Sequence, residues 1–222
     1  MLQVKMGEKM ESQMITIKKN EEVEIVEKKS RFIANVFYIQ TVEEAQQKLA
    51  QIKRKYYDAK HHCYAYRVLE LGSLLEKSSD DGEPSGTAGA PILSILKKQN
   101  LQNVLLVVTR YFGGILLGTG GLVRAYSEAS LNVLESAGQT CLIEAEEAEV
   151  TISYSNLEQF QYFCKTHHIP IFKMEYLENI KIFLAVTESQ KRELKEKMSN
   201  HILPILTIKI LQKKFIDKKA DI

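Results

Sequence analysis

The sequence predicts an α+β chain of two domains, and three observations carry that prediction. Short β-rich runs alternate with stretches of helical apolar spacing along all 222 residues. Glycine is confined to the first part of the chain: ten of the eleven glycines lie at or before Gly121, and none follows Gly138. That shift in composition places a domain boundary near Gln139. Helix starts are also marked, since Thr41 with Glu44 and Ser155 with Glu158 both have capping-box spacing.

Residues 1–13, MLQVKMGEKMESQ, are polar and lack the apolar core of a signal peptide. They read as a disordered lead-in. Residues 14–17 and 22–26 read as the strands of a hairpin turning at 18–21, and residues 31–39 as the next strand. Thr41 opens a helix to about Tyr56 with Ala45, Leu49 and Ile52 on one face. Residues 61–69 form a strand, and residues 71–75 another after a turn at Gly72. Residues 78–91, SSDDGEPSGTAGAP, are too rich in Gly and Pro for a regular element. Pro91 then suits the first turn of a helix reaching Gln99. The apolar run 104–108 reads as a buried strand, and residues 122–137 as a helix that Gly138 ends. Beyond it come strand 142–154, helix 155–168, strands 169–176 and 180–186, helix 188–200 and strand 202–211. This βαββαβ order is that of a ferredoxin-like split βαβ unit. The expected layout is therefore a lead-in at 1–13, an α/β domain at 14–138, a ferredoxin-like domain at 139–212 and a charged tail at 213–222.

Hydrophobic residues make up 45% of the chain and charged residues 26%, which is ordinary for a globular protein. A net charge of +2 excludes a strong overall attraction to nucleic acid or membrane, so any basic surface must be local. One such stretch holds Lys48, Lys53, Arg54, Lys55, Lys60 and Arg67 against Asp58 alone. It is either the footprint of an anion or nucleic-acid surface or a plain solvated helix face. Cys63, Cys141 and Cys164 are widely spaced and odd in number, so they make neither a disulfide framework nor a zinc pair. That usage fits a reducing cytoplasm. No apolar run approaches the ~20 residues of a spanning helix, so no membrane partner is expected.

Three segments carry the chemistry-bearing residues. In KHHCYAYR, residues 60–67, strand alternation puts His61, Cys63, Ala65 and Arg67 on one face and His62, Tyr64 and Tyr66 on the other. His61 and His62 are candidates for a general base or a phosphate contact, or are partly buried strand histidines. In DDGEPSGTAG, residues 80–89, Asp80, Asp81 and Glu83 offer oxygen ligands to a hard cation, while Ser85 and Thr87 offer hydroxyls. The alternative is a solvent loop with turn chemistry, although loops of this length are often functional. In TRYFGGILLGTGGLVRAY, residues 109–126, Gly113, Gly114, Gly118, Gly120 and Gly121 join a strand to a helix, with Arg110 and Arg124 flanking them. Glycines let another molecule approach the backbone, a helix N-terminus suits an anion, and guanidinium groups pair with phosphate. A tight structural turn with surface arginines is the plainer alternative. Neither a P-loop nor a GxSxG nucleophile elbow is present.

With KSRFIA (residues 29–34), KHHCYAYR, DDGEPSGTAG and VTRYFGGILLGTGGLVRAY in view, the chain resembles the YigZ/IMPACT family. The resemblance spans residues 14–138, and the C-terminal unit is similar to the ferredoxin-like domain of bacterial members. It implies an N-terminal α/β domain with the fold of EF-G domain IV and a C-terminal domain like EF-G domain V. By that analogy it also implies binding to nucleic acid or the ribosome. Eukaryotic IMPACT proteins, similar in the first domain, act in translational control. The motif residues carried over are His61, His62, Arg67, Asp80, Asp81, Glu83, Ser85, Thr87, Arg110, Gly113, Gly114, Gly118, Gly120, Gly121 and Arg124. The resemblance assigns a catalytic role to none of them. The expectation is a cytoplasmic, translation-linked RNA- or ribosome-binding regulator. It would hold phosphate at the glycine loop with Arg110, Arg124, Arg67, His61 and His62. No cofactor is expected, unless a divalent cation sits at Asp80, Asp81 and Glu83. Two other functions stay open: an enzyme acting on a small phosphorylated or nucleotide substrate, and a regulatory module working through a protein partner.

Overall fold

The computed structural model of the chain describes residues 13–217. The expected lead-in, apart from Gln13, and residues 218–222 of the expected tail lie outside the described residues. The chain divides into two compact units at Thr140 and Cys141.

The first unit is built on an antiparallel sheet of order β2-β3-β6-β4-β5. Its strands are β2 (Glu21–Glu27), β3 (Ser30–Tyr38), β4 (His61–Glu70), β5 (Ser73–Ser79) and β6 (Val104–Tyr111). Central β6 explains the apolar run: Val104, Leu106 and Val108 enter one core, and Leu105 and Val107 enter another on the opposite face. Burial on both faces replaces alternation with continuous hydrophobicity. The first core is covered by α2 (Gly89–Lys98) and α3 (Gly118–Ala137), the second by α1 (Val42–Lys55). The expected Thr41 cap forms, with the Glu44 N–H donating to Thr41 Oγ1 at 3.1 Å.

Two local expectations are corrected. The strand β1 (Gln13–Ile17) is not the hairpin partner of β2. Instead Ile15 bridges Leu101 in parallel, and its carbonyl accepts from the Gln102 N–H at 2.8 Å. The true hairpin is β2–β3, turned by Lys28 and Lys29 at φ 45° and 65°. Such a two-residue turn needs positive φ at both centres and normally announces itself as Asn-Gly; Lys-Lys carries no such signal. The second correction is that α3 begins at Gly118 and not at Leu122, so three of the glycines lie inside its first turn.

The second unit contains β7 (Gln139–Ile152), α4 (Leu157–Thr166), β8 (Ile171–Tyr176), β9 (Ile180–Val186), α5 (Glu188–Ser199) and β10 (Ile205–Asp217). Its strands pair antiparallel in the order β10-β7-β9-β8 over a core that includes Val150, Ile152, Phe160, Ile182, Leu184 and Leu194. This is the expected ferredoxin-like unit. Residues 213–217 continue β10 in place of a loose tail, because Lys213 pairs opposite Glu146 and its Nζ meets Glu144 at 2.6 Å. Ser155 does not cap α4. It lies in a short 3-10 turn, and its hydroxyl bonds to the side chains of Ser153 and Asn156. The capping box that does form is Thr187 with Gln190. Among the described residues, no helix is long and apolar enough to cross a membrane.

Candidate functional site at one end of the first sheet

Sheet register gathers the site. Arg110 lies opposite Phe32 on one side and His61 on the other, and Arg31 lies opposite Tyr111. The β2–β3 turn, the chain entering β4, and the segment leaving β6 therefore meet at one end of the sheet. The 80–88 loop closes over the same end through the side chains described next.

Arg110 follows Val108 on the face that α2 and α3 cover, and it is only 6% exposed. Its Nη1 donates to Glu83 Oε1 at 2.7 Å, and its Nη2 reaches Ser30 Oγ at 3.4 Å. From α3, the Tyr126 hydroxyl donates to the same Glu83 oxygen at 2.9 Å. The Cys63 thiol is within reach of the Tyr126 hydroxyl at 3.3 Å and of the Asp80 carbonyl at 2.9 Å. Three parts of the chain, the 80–88 loop, β6 and α3, are thus tied through one buried carboxylate. Burial pushes the Cys63 thiol up to about 12 and raises the Tyr126 phenol as well. A thiol so protonated is a structural group and no nucleophile.

Asp80 organises the polar loop. Its carboxylate accepts from the N–H groups of Gly86, Ala88 and Gly89 at 2.9, 3.0 and 2.8 Å, which caps the start of α2. Burial pushes its pKa upward, but the three amides outweigh that and hold it below the ordinary value. Asp81, at φ 42°, accepts from Lys53 Nζ at 3.0 Å and the His62 N–H at 2.8 Å. Here too burial is opposed, chiefly by Lys53, and the carboxyl is lowered. His61 Nδ1 lies 2.9 Å from the Asp81 carbonyl and His62 Nε2 3.1 Å from the Tyr56 carbonyl, so each of these nitrogens carries the proton and donates. Thr87 is buried and donates to the Pro84 carbonyl at 2.6 Å, whereas Ser85 is exposed. Asp80, Asp81 and Glu83 therefore face three separate sets of donors. Among the described residues, no group of three or more His, Cys, Asp or Glu side chains could hold a metal ion.

The glycine-rich segment has a closed end and an open end. Gly113 donates its N–H to Ser30 Oγ at 3.1 Å, and a Cβ there would lie 2.0 Å from the Lys29 carbonyl carbon. Only glycine permits that approach. Gly114 and Gly118, at φ 84° and 70°, have open space where a side chain would stand. Gly120 has only Arg124 Nη1 nearby, at 3.7 Å, while Gly121 is buried against Leu117. The start of α3 has no side-chain cap and no acidic residue in its first turn. Arg124 is exposed and makes no hydrogen bond or ion pair among the described residues. Phe112, Ile115 and Leu116, in the segment that leads into α3, are exposed too.

Arg67 stands apart. Its Nε pairs with Glu76 at 2.9 Å, and its Nη1 donates to the Leu101 carbonyl at 2.9 Å, buried under α2. It lies six strand positions from His61, about 20 Å. Within the basic stretch, Lys53 and Lys55 are taken by Asp81 and Glu22, and Lys48 lies over the Phe37 ring. The structure thus brings His61, Asp80, Asp81, Glu83, Arg110 and Gly113 into one knot. It leaves Gly114, Gly118, Gly120, Arg124 and Ser85 facing solvent. Ser30, Phe32, Phe112 and Tyr126 lie within the quoted motifs but were not singled out as site residues. Tyr126 was also legible as part of the Leu122, Ala125, Ala129, Val133 stripe of α3; for Ser30 the KSRFIA motif was the signal.

The matches to known proteins agree with this architecture. The model of the Impact N-terminal domain matches residues 28–134, and that of a domain of unknown function, DUF1949, matches residues 150–200. The IMPACT family member YvyE of Bacillus subtilis is 37% identical over 187 residues, 83% of this chain and 84% of the relative. An IMPACT family member of Haemophilus influenzae is 36% identical over 181 residues, 79% of this chain and 88% of its own. A crystal structure described as that of a hypothetical protein superposes with a TM-score of 0.62 at 28% identity, covering 93% of this chain and 98% of that one. With both domains matched in order and relatives this similar over more than four fifths of their length, the chain belongs to the IMPACT family.

Proposed function

We propose that the protein is a translation-linked regulator that binds RNA or the ribosome, holding phosphate at the glycine-rich start of α3. The observation that carries this reading is the open end of that segment: an uncapped helix start, bare glycines and an unpaired Arg124 together. Free N–H groups and the positive end of the helix dipole favour an anion there. Lys28, Lys29 and Lys60 are exposed on the neighbouring connections and add local positive charge to a chain of only +2. Gly114, Gly118, Gly120 and Arg124 are all exposed, which leaves the segment accessible to the backbone of a polymer. The translational setting comes from the resemblance to the eukaryotic IMPACT proteins.

In this proposal Arg110 and Arg67 do not touch phosphate. Arg110 ties β6 to Glu83, which also accepts from Tyr126 of α3, the helix that carries Arg124, and Arg67 holds β4 to α2. The carboxylates that an enzyme would need are turned onto protein donors, so no observation favours the catalytic alternative. The test is the affinity for a single-stranded oligoribonucleotide, measured by anisotropy across a salt series. Log affinity should fall linearly with log salt, by about 0.7 for each phosphate neutralised. Arg124→Ala should weaken binding and make the slope shallower by about one contact. A salt-independent signal, or an unchanged slope in the variant, would sink the phosphate reading.

A further inference from the structure

The end of the sheet carries a layered aromatic–cation stack that stops at solvent. The Arg110 guanidinium lies 5.4 Å from the Phe32 ring centroid and 5.5 Å from that of Phe112. Phe32 is fully buried and meets Tyr126 edge-on at 5.1 Å, whereas Phe112 is 54% exposed. The Arg110 guanidinium is held at both terminal nitrogens, by Glu83 and Ser30, and its buried Nε has no partner. The backbone beyond Phe112 is equally fixed, because Gly113 packs against the Lys29–Ser30 peptide. Phe112 is therefore an aromatic ring on an anchored backbone, backed by a desolvated cation and open to solvent.

We infer that Phe112 is a stacking platform for an unpaired nucleobase of a single strand whose phosphates lie at the start of α3. The inference rests on the phosphate reading above and adds the base contact to it. A flat aromatic face accepts any base, and a cation behind the ring strengthens such layering. The occupant is a nucleic acid because the exposed cations on the neighbouring β2–β3 turn and on α3, Lys28, Lys29 and Arg124, call for a polymer that alternates planar groups with negative charge. An acidic peptide would match the charge but has no planar group at each step.

The experiment compares an oligouridylate single strand with an RNA duplex, using the unsubstituted protein, Phe112→Ala and Phe112→Tyr, each across the same salt series. Phe112→Ala should weaken single-strand binding on the order of tenfold with the salt slope unchanged. Phe112→Tyr should keep the affinity, and duplex binding should be indifferent to both. If Phe112→Ala binds the single strand as tightly as the parent, the platform is overturned while the phosphate reading stands. A loss confined to the slope, or equal losses for single strand and duplex, also overturns it. If the unsubstituted protein binds neither RNA, both readings fall together.

Discussion

Arg110 and Arg124 belong to one glycine-rich stretch and have opposite fates. Arg110 ends a central strand beneath the 80–88 loop and is spent on Glu83. Arg124 lies in the first turns of α3, exposed, with no partner among the described residues. The two are interchangeable as letters in a motif. As physical objects, one is a desolvated structural pin and the other a free surface cation. A motif therefore mixes residues that build a site with residues that present it.

The largest test of this contrast is truncation of each arginine. Arg110→Ala leaves Glu83 buried without its cation and should cost about 3–5 kcal/mol in urea unfolding. Arg124→Ala should stay within about 0.5 kcal/mol. Equal costs would break the comparison. The glycines allow a parallel test of somewhat smaller size. Gly113→Ala drives a methyl into the Lys29 backbone, which cannot yield as a side chain would, for a loss of about 1–3 kcal/mol. Gly120→Ala meets only ordinary contact with Arg124 and should be neutral or stabilising by up to about 1 kcal/mol.

A pH experiment sharpens the role of Asp80. Its carboxyl is held below its ordinary 3.8 in the folded chain, so the stability it contributes is fully present above that value. It is lost as pH falls through the lowered folded value. Asp80→Asn should therefore lower stability at neutral pH and flatten the acid limb of a stability–pH profile; an unaltered limb would contradict the three-amide account. The smallest expected effect is chemical. With its thiol pushed up to about 12, Cys63 should resist iodoacetamide at mildly alkaline pH in the native chain while partly exposed Cys141 is labelled. Mass spectrometry showing equal labelling would mean that the knot opens.

Much of the fold was legible from local pattern. The βαββαβ order, the buried β6 and the strand faces of residues 61–67 all follow from period and apolar runs, which depend on near neighbours. Two of the failures were set by partners far along the chain. β1 left its expected hairpin for Leu101, and residues 213–217 became strand because β7 offered Glu144 and Glu146 beside them. Ser155 has the right spacing for a cap, but a 3-10 turn diverts it. At the site, most of the polar residues were legible, but their exposure was not.

By itself the sequence determined which residue types reach this end of the sheet, that glycine must stand at its tight approach, and which family motif the chain carries. Only the tertiary structure decided that Arg110 turns inward and Arg124 outward. The physical reason is that burial depends on what covers a position. The cover over Arg110 comes from Glu83, 27 residues away in sequence, on a loop whose shape Asp80 sets through three backbone amides. No period or spacing in the sequence encodes that meeting.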